Sequence, residues 1–346
     1  MSDSPPEKPK RRPRYSGRNP RRFEEKYKER DPARYPEAIA KVLASGKTPA
    51  GSHRPIMVAE ILSVLEPRVG EIAVDCTLGA GGHARELLAA VQPGGRLIAL
   101  DADPIELPKT ETQLRGMGFP ADCLSVHRLN FAGLAQLLAT EAPDGADVIL
   151  ADLGVSSMQI DDPLRGFTFK AEGPLDLRMN PQRGQPASAL LASIKTAELA
   201  DLLRANADEP HADRIASAVI TSLPVTSTTG LAGIIRSELE RRPTISAGEV
   251  EVSVRRVFQA LRIAANDEFG ALDMFLRRLP HCLKPGGRVA ILTFHSGEDR
   301  RVKHTFKAGL RDGLFSAISD DVIRPSPAEL RANPRSSSAK LRWARR

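Results

Sequence analysis

Two carboxylates, Asp101 and Asp152, and one glycine-rich turn carry the spacing that ligand chemistry needs. Asp75-Cys-Thr-Leu-Gly-Ala-Gly-Gly-His83 follows a short apolar run and precedes an apolar-periodic one. Glycines let the backbone pass close to a ligand, and a helix N-terminus favours negative charge or acceptors. Gly79, Gly81, Gly82, His83 and Ala84 fall in a GxGxxA pattern, and Asp101 ends the next apolar run, 22 residues beyond Gly79. A carboxylate at that point can accept from both hydroxyls of an adenosine ribose. NAD and S-adenosylmethionine both satisfy this pair of features. Asp152 ends a later apolar run and leads into Leu-Gly-Val-Ser156-Ser157-Met-Gln159, which aims it at the same cleft. Ser157, His295 and an aspartate could suggest a hydrolase triad, but Gly154-Val-Ser-Ser-Met158 lacks the last glycine of GxSxG.

The surrounding pattern is α/β. Glu71–Asp75, Arg96–Asp101, Asp147–Asp152 and Arg288–Phe294 are apolar runs of strand length, each ending in a polar or loop residue. Helical segments at 56–65 and 84–91 alternate with them. A parallel sheet covered on both faces follows, with its ligand beyond the carboxyl ends of the strands. Residues 160–250 break the rhythm and read as a mainly helical insertion, with helices at 196–205 and 214–221. A long helix then carries Val254, Phe258, Leu261, Ala265, Phe269, Leu272, Leu276 and Leu279 on one face, until Pro280 interrupts it. Three domain segments are expected: an arm at 1–52, a cofactor-binding domain from 53–159 and 251–346, and the insertion at 160–250.

The 346 residues have a net charge of +7, and its location matters more than its size. Residues 1–52 hold 14 Lys and Arg against 7 Asp and Glu, so the rest of the chain is neutral. This proline- and arginine-rich arm has little to bury and is expected to be disordered or loosely ordered, with phosphates as its natural contacts. Arg165, Lys170, Arg178 and Arg183 cluster at the start of the insertion, where they would face an RNA partner such as the one the resemblance described below implies. Arg335, Lys340, Arg342, Arg345 and Arg346 of the tail are expected to add phosphate contacts. No apolar run approaches the ~20 residues of a membrane span, and the start has no signal-peptide pattern. Cys76, Cys123 and Cys282 are widely spaced and include no CxxC, so buried thiols in the reducing cytoplasm are expected, with no metal site.

Four blocks resemble the bacterial ribosomal RNA small-subunit methyltransferase H family. They are Thr77–His83; Asp152–Asp162 running into Arg165–Phe169 and Gly173–Met179; Phe258–Glu268; and Phe294–Arg300. A tail block, Asn333–Arg342, also fits, so the resemblance spans about residues 53–346. It implies a Rossmann-like class I methyltransferase core that uses S-adenosylmethionine to methylate N4 of a cytidine in the decoding centre of small-subunit rRNA, within the 30S particle. It also implies that Gly79, Gly81, Gly82 and His83 line the cofactor, that Asp101 takes the ribose, and that Phe131 packs near the adenine. Asp152 and Gln159 would close the site on the target side. Asp152 is the first candidate to accept from the amine, with Ser156 and Ser157 as alternatives and His295 shaping the base pocket. Three departures stand out: Gly297 where Leu is usual, Asp208 where Gly is usual, and Glu251-Val-Ser-Val254 in place of a His-Pro-Ala-Thr lead. An NAD-dependent oxidoreductase and a non-catalytic RNA-binding module are the competing readings.

Overall fold

A computed structural model describes residues 55–346; the basic arm lies outside the described residues. The chain enters through helix α1 (Val58–Leu65), strand β1 (Ile72–Asp75), α2 (Gly82–Val91), β2 (Arg96–Asp101), α3 (Leu107–Arg115), β3 (Leu124–Arg128), α4 (Leu134–Glu141) and β4 (Ala146–Asp152). After α5 (Ser157–Asp161) come α6 (Ala187–Ser193), α7 (Thr196–Ala207), α8 (Ala212–Thr221), α9 (Thr228–Glu240) and α10 (Ala247–Asn266). The sheet resumes through α11 (Glu268–Cys282), β5 (Leu283–Thr293), α12 (Ser296–Arg311), β6 (Ala317–Ile318), α13 (Pro327–Ala332) and β7 (Lys340–Arg345).

The strand order is β3-β2-β1-β4-β5-β7-β6. The first five strands are parallel and β7 runs antiparallel to β5, the arrangement of a Rossmann-like methyltransferase core. Successive connections reverse direction between β1 and β4, which opens a crevice at the carboxyl edge where Asp75, Asp101 and Asp152 end their strands. Buried aliphatic runs such as Leu97–Leu100 and Val148–Ala151 satisfy both faces of this sheet. One face packs against α1, α2 and α3, the other against α4, α11 and α12.

None of the seven strands lies between Asp152 and Leu283. Helices α6–α9 and the inner face of α10 instead share their own apolar cluster, including Leu203, Ile215, Leu231, Ile235, Val254 and Leu261. The single long helix expected across residues 254–279 is two helices. It breaks at Asp267, which adopts left-handed geometry (φ 49, ψ 44), while Pro280 sits within the last turn of α11. A one-residue break keeps the apolar stripe nearly in phase, so periodicity alone does not reveal it. All three cysteines are free and buried, and among the described residues no helix is long and apolar enough to cross a membrane.

The basic tail is not a free extension. Lys340–Arg345 is β7, paired with β5 from Arg288↔Arg345 to Thr293↔Lys340. Arg342 is buried against Asp299 at 2.7 Å, Arg335 meets Asp161 at 2.9 Å, and Arg345 approaches Glu66 at 3.8 Å. The acidic partners come from distant segments, so the absence of acidic residues within the tail itself is no guide to its free charge.

Candidate active site

The glycine turn is built to leave room. Gly79 (φ 49) would present a Cβ to nothing nearer than Thr77 O at 3.8 Å, so its cleft side is open. Its neighbours are close-packed instead: a Cβ at Gly81 would stand 2.8 Å from Thr110 Cγ2, and one at Gly82 2.9 Å from Pro55. Gly81 also takes the left-handed N-cap of α2 (φ 75), which an L side chain adopts only with strain. Thr110 ties α3 to the turn by donating its hydroxyl to Gly79 O at 2.6 Å.

Asp101 fixes the turn from the β2 side. Its Oδ2 accepts from Gly79 N at 2.7 Å and its Oδ1 from Asp103 N at 2.9 Å. Burial raises its pKa, and these two N–H donors oppose the rise. Asp75 is buried at the end of β1; its Oδ1 accepts from Thr77 N at 3.0 Å, while Oδ2 has no hydrogen-bond partner. Burial raises its pKa as well.

Asp152 completes the acidic rim. Its backbone N–H donates to Thr77 Oγ1 at 2.7 Å, joining β4 to the turn. Its buried Oδ1 has no hydrogen-bond partner, and Oδ2 lies 3.7 Å from His83 Nδ1. Burial, with Glu298 nearby, pushes this carboxyl up to about 7. His83 is buried too, with Nε2 2.9 Å from Ile56 O. Burial lowers its pKa against the pull of Asp75, so the contact with Asp152 is one between a neutral imidazole and a carboxyl group, not a salt bridge.

The other candidate residues divide. Ser156 caps α5: its hydroxyl accepts from Gln159 N at 3.2 Å, and Gln159 Oε1 accepts from Ser156 N at 2.8 Å. Ser157 is the first residue of that helix. The Gln159 amide donates to Asp103 Oδ2 at 2.8 Å, beside the ribose-side loop. Phe131 follows β3 at the same sheet edge, but its ring packs edge-on against Phe275 of α11 at 5.5 Å. His295 caps α12, with Nδ1 accepting from Glu298 N at 3.4 Å and Nε2 3.1 Å from Glu298 Oε1. Burial works against ionisation of Glu298, but His295, Arg262 and the Phe294 N–H hold it below its ordinary value. Glu268, His295 and Glu298 converge, yet the Arg262 guanidinium takes both oxygens of Glu268 at 2.7 and 2.9 Å. A protein cation already neutralises that group.

Two of the four arginine and lysine positions expected to face RNA do not. Arg165 is buried and pairs with the buried Asp103 at 2.8 Å, and Arg178 forms a two-pronged pair with Asp176 at 2.7 Å. Lys170 and Arg183 are exposed. Sequence reasoning does not single out Asp75, Asp103, Thr77 or Glu298; the Asp101-Ala-Asp103 doublet is the available signal for Asp103.

Two acidic groups beyond the shared ribose carboxylate decide between the candidate cofactors. A dinucleotide brings a doubly negative pyrophosphate to such a turn, where Asp75 and Asp152 would repel it. S-adenosylmethionine brings a sulfonium and an ammonium, which these two carboxylates attract, while Asp101 suits the ribose of either. The residues present therefore fit S-adenosylmethionine.

Relatives bear on the same question. The chain is 48% identical over 340 residues to ribosomal RNA small subunit methyltransferase H 1 of Lachnoclostridium phytofermentans, covering 97% of this chain and 92% of that protein. It is 48% identical over 347 residues to ribosomal RNA small subunit methyltransferase H 2 of Alkaliphilus metalliredigens, covering 99% of each. The ribosomal RNA small subunit methyltransferase H of Acidothermus cellulolyticus is 38% identical over 320 residues, covering 87% of this chain and 95% of that protein. The first two alignments run into the basic arm, so the similarity extends beyond the span of residues 53–346 expected from the motifs. The model of the MraW methylase family matches residues 50–346, and the chain belongs to that family.

Proposed function

We propose that this methyltransferase uses S-adenosylmethionine to methylate N4 of a cytidine in the decoding centre of small-subunit rRNA, acting on the 30S particle in the cytoplasm. The observation that carries the reading is the Asp152 carboxyl, held at the end of β4 beside the glycine turn with one buried oxygen unpartnered. S-adenosylmethionine supplies an electrophilic methyl group when bound. An exocyclic amine is a weak nucleophile because its lone pair is delocalised into the ring. An acceptor for its hydrogens turns the lone pair outward and takes a proton as the new bond forms. Asp152 is that acceptor, and Thr77 anchors its backbone at the end of β4. Gly79, Gly81 and Gly82 shape the cofactor cradle, Asp101 receives the ribose, and Gln159 braces the target side through Asp103.

In this reading, residues 53–159 and 251–346 form the cofactor-binding part and residues 160–250 recognise RNA. The apolar cluster of α6–α9 supports a distinct insertion, but it takes in Val254, Phe258 and Leu261 of α10 as well, so the insertion packs through α10 and not only to residue 250. Lys170 and Arg183 remain as phosphate contacts. A base in folded RNA must be splayed out to enter such a cleft. The test is methyl transfer from labelled S-adenosylmethionine to small subunits lacking the modification, followed by nucleoside analysis. N4-methylcytidine is expected; label in another nucleoside overturns the assignment.

A further inference from the structure

Arg165 was expected on the RNA side of the insertion and is instead the hub of a buried network. Its Nη1 donates to Asp103 Oδ2 at 2.8 Å, with the two side chains 8% and 2% exposed. The same Asp103 oxygen accepts from Gln159 Nε2 at 2.8 Å. Arg165 Nη2 donates to Met179 O at 2.8 Å. Asn266, the last residue of α10, grips the same strand of chain: its Oδ1 accepts from Met179 N and its Nδ2 donates to Leu177 O, both at 2.7 Å. Leu177 holds a left-handed φ of 63, a conformation that only strong neighbours maintain.

Three regions with separate tasks therefore meet at one ion pair. Asp103 N bonds Asp101 Oδ1 at 2.9 Å, which joins the ribose-binding carboxylate to the network. Gln159 Oε1 accepts from Ser156 N, which joins the loop beyond Asp152. Met179 joins the strap that leads into the helical insertion. A planar guanidinium can satisfy a carboxylate and a carbonyl together, which a lysine ammonium does not reproduce in the same geometry. We infer that Arg165 is a positioning residue that couples cofactor occupancy to the placement of the RNA-recognising strap. This inference rests on the proposed function for its two ligands, but not on the identity of the methylated atom. Binding at Asp101 stiffens the 101–103 loop, and the Arg165–Asp103 pair passes that order to residues 177–179.

Linkage makes the coupling measurable without catalysis, because each ligand must strengthen the other by the same factor. The experiment measures affinity for unmethylated small subunits with and without saturating S-adenosylhomocysteine, and the converse. In the natural protein a mutual strengthening of about fivefold or more is expected. In Arg165→Lys the factor falls to near one, while S-adenosylhomocysteine still binds and thermal unfolding stays cooperative. Asp103→Asn combined with Arg165→Met removes both charges, leaves no buried ion unpaired, and is expected to lose the coupling too. A residue that merely stabilises the fold would lower the melting temperature and leave the factor unchanged; that result overturns the inference. Subunit binding with no coupling in the natural protein overturns this inference alone, whereas failure to bind the subunits at all overturns the functional reading with it.

Discussion

Replacing Asp152 with asparagine keeps the size of the side chain and removes its ability to take a proton. A carboxyl pushed from 3.8 to about 7 by burial and Glu298 favours its neutral form by about 4 kcal/mol. Accepting a proton requires the ionised form, so activity must rise with pH. With a pKa of about 7, roughly a tenth of the carboxyl is ionised at pH 6 and roughly nine-tenths at pH 8, which gives about a ninefold rise. The cationic cofactor lowers this pKa once bound, so the limb near 7 belongs to kcat/KM for the cofactor, and the limb in single turnovers at saturation lies lower. Asp152→Asn is expected to cost about 10²-fold or more in the single-turnover rate and to abolish both limbs. Stability runs the opposite way: the folded carboxyl binds its proton more tightly than the unfolded one, so its contribution is full below pH 3.8 and is lost as pH rises through about 7. The assay is transfer of labelled methyl to unmethylated small subunits from pH 5.5 to about 8.5, a range spanning the expected limb. A variant within twofold of the natural rate, or one that keeps the same pH limb, would refute a proton-accepting role.

Asp101→Asn should weaken S-adenosylmethionine about 10- to 100-fold by calorimetry, the scale of hydrogen bonds to a charged group, because an amide cannot accept from Gly79 N, Asp103 N and a ribose together; an unchanged Kd rejects the ribose assignment. Gly297→Leu, which installs the family's usual residue, should destabilise the protein by ~1–3 kcal/mol in urea unfolding. A Cβ there would stand 2.6 Å from Phe269 Cζ, so Phe269→Ala in the same chain should recover part of the loss, and tolerance of leucine alone would contradict the packing seen here. Deleting residues 1–52, which carry the entire net charge of +7, should flatten the dependence of log K on log salt for RNA while leaving methyl transfer at saturation intact; equal slopes would mean that the arm makes no phosphate contacts.

The sequence by itself determined the sheet core and two of the three rim carboxylates, Asp101 and Asp152, while Asp75 reads only as the end of a buried strand until the structure shows its unpartnered oxygen. Strands β1, β2, β4 and the body of β5 are continuous aliphatic runs, because a strand buried on both faces has no polar side to alternate. The glycine turn and the strand-end aspartates are local in sequence, so their type and spacing suffice. Strand β3 was not legible, since Leu124-Ser-Val-His-Arg forms the sheet's edge, is only partly buried and carries little apolar signal. Nor was β7 legible: Lys-Leu-Arg-Trp-Ala-Arg reads as a basic tail until β5 pairs with it and Asp299 takes Arg342. Asp208 shows the same limit. It occupies a left-handed cap (φ 48) that explains why glycine is usual there, yet its carboxylate meets Ser296 Oγ at 3.1 Å and Arg300 at 3.2 Å, residues 88 and 92 positions away. Which arginines face solvent, which carboxyls are buried enough to hold a proton at neutral pH, and which loops share one ion pair all depend on segments far apart in the chain. Charge is written in the sequence, but desolvation and partnership are properties of the packed structure, and here they moved Arg165 from the RNA face to the centre of the protein and raised Asp152 to the pH range where it can do chemistry.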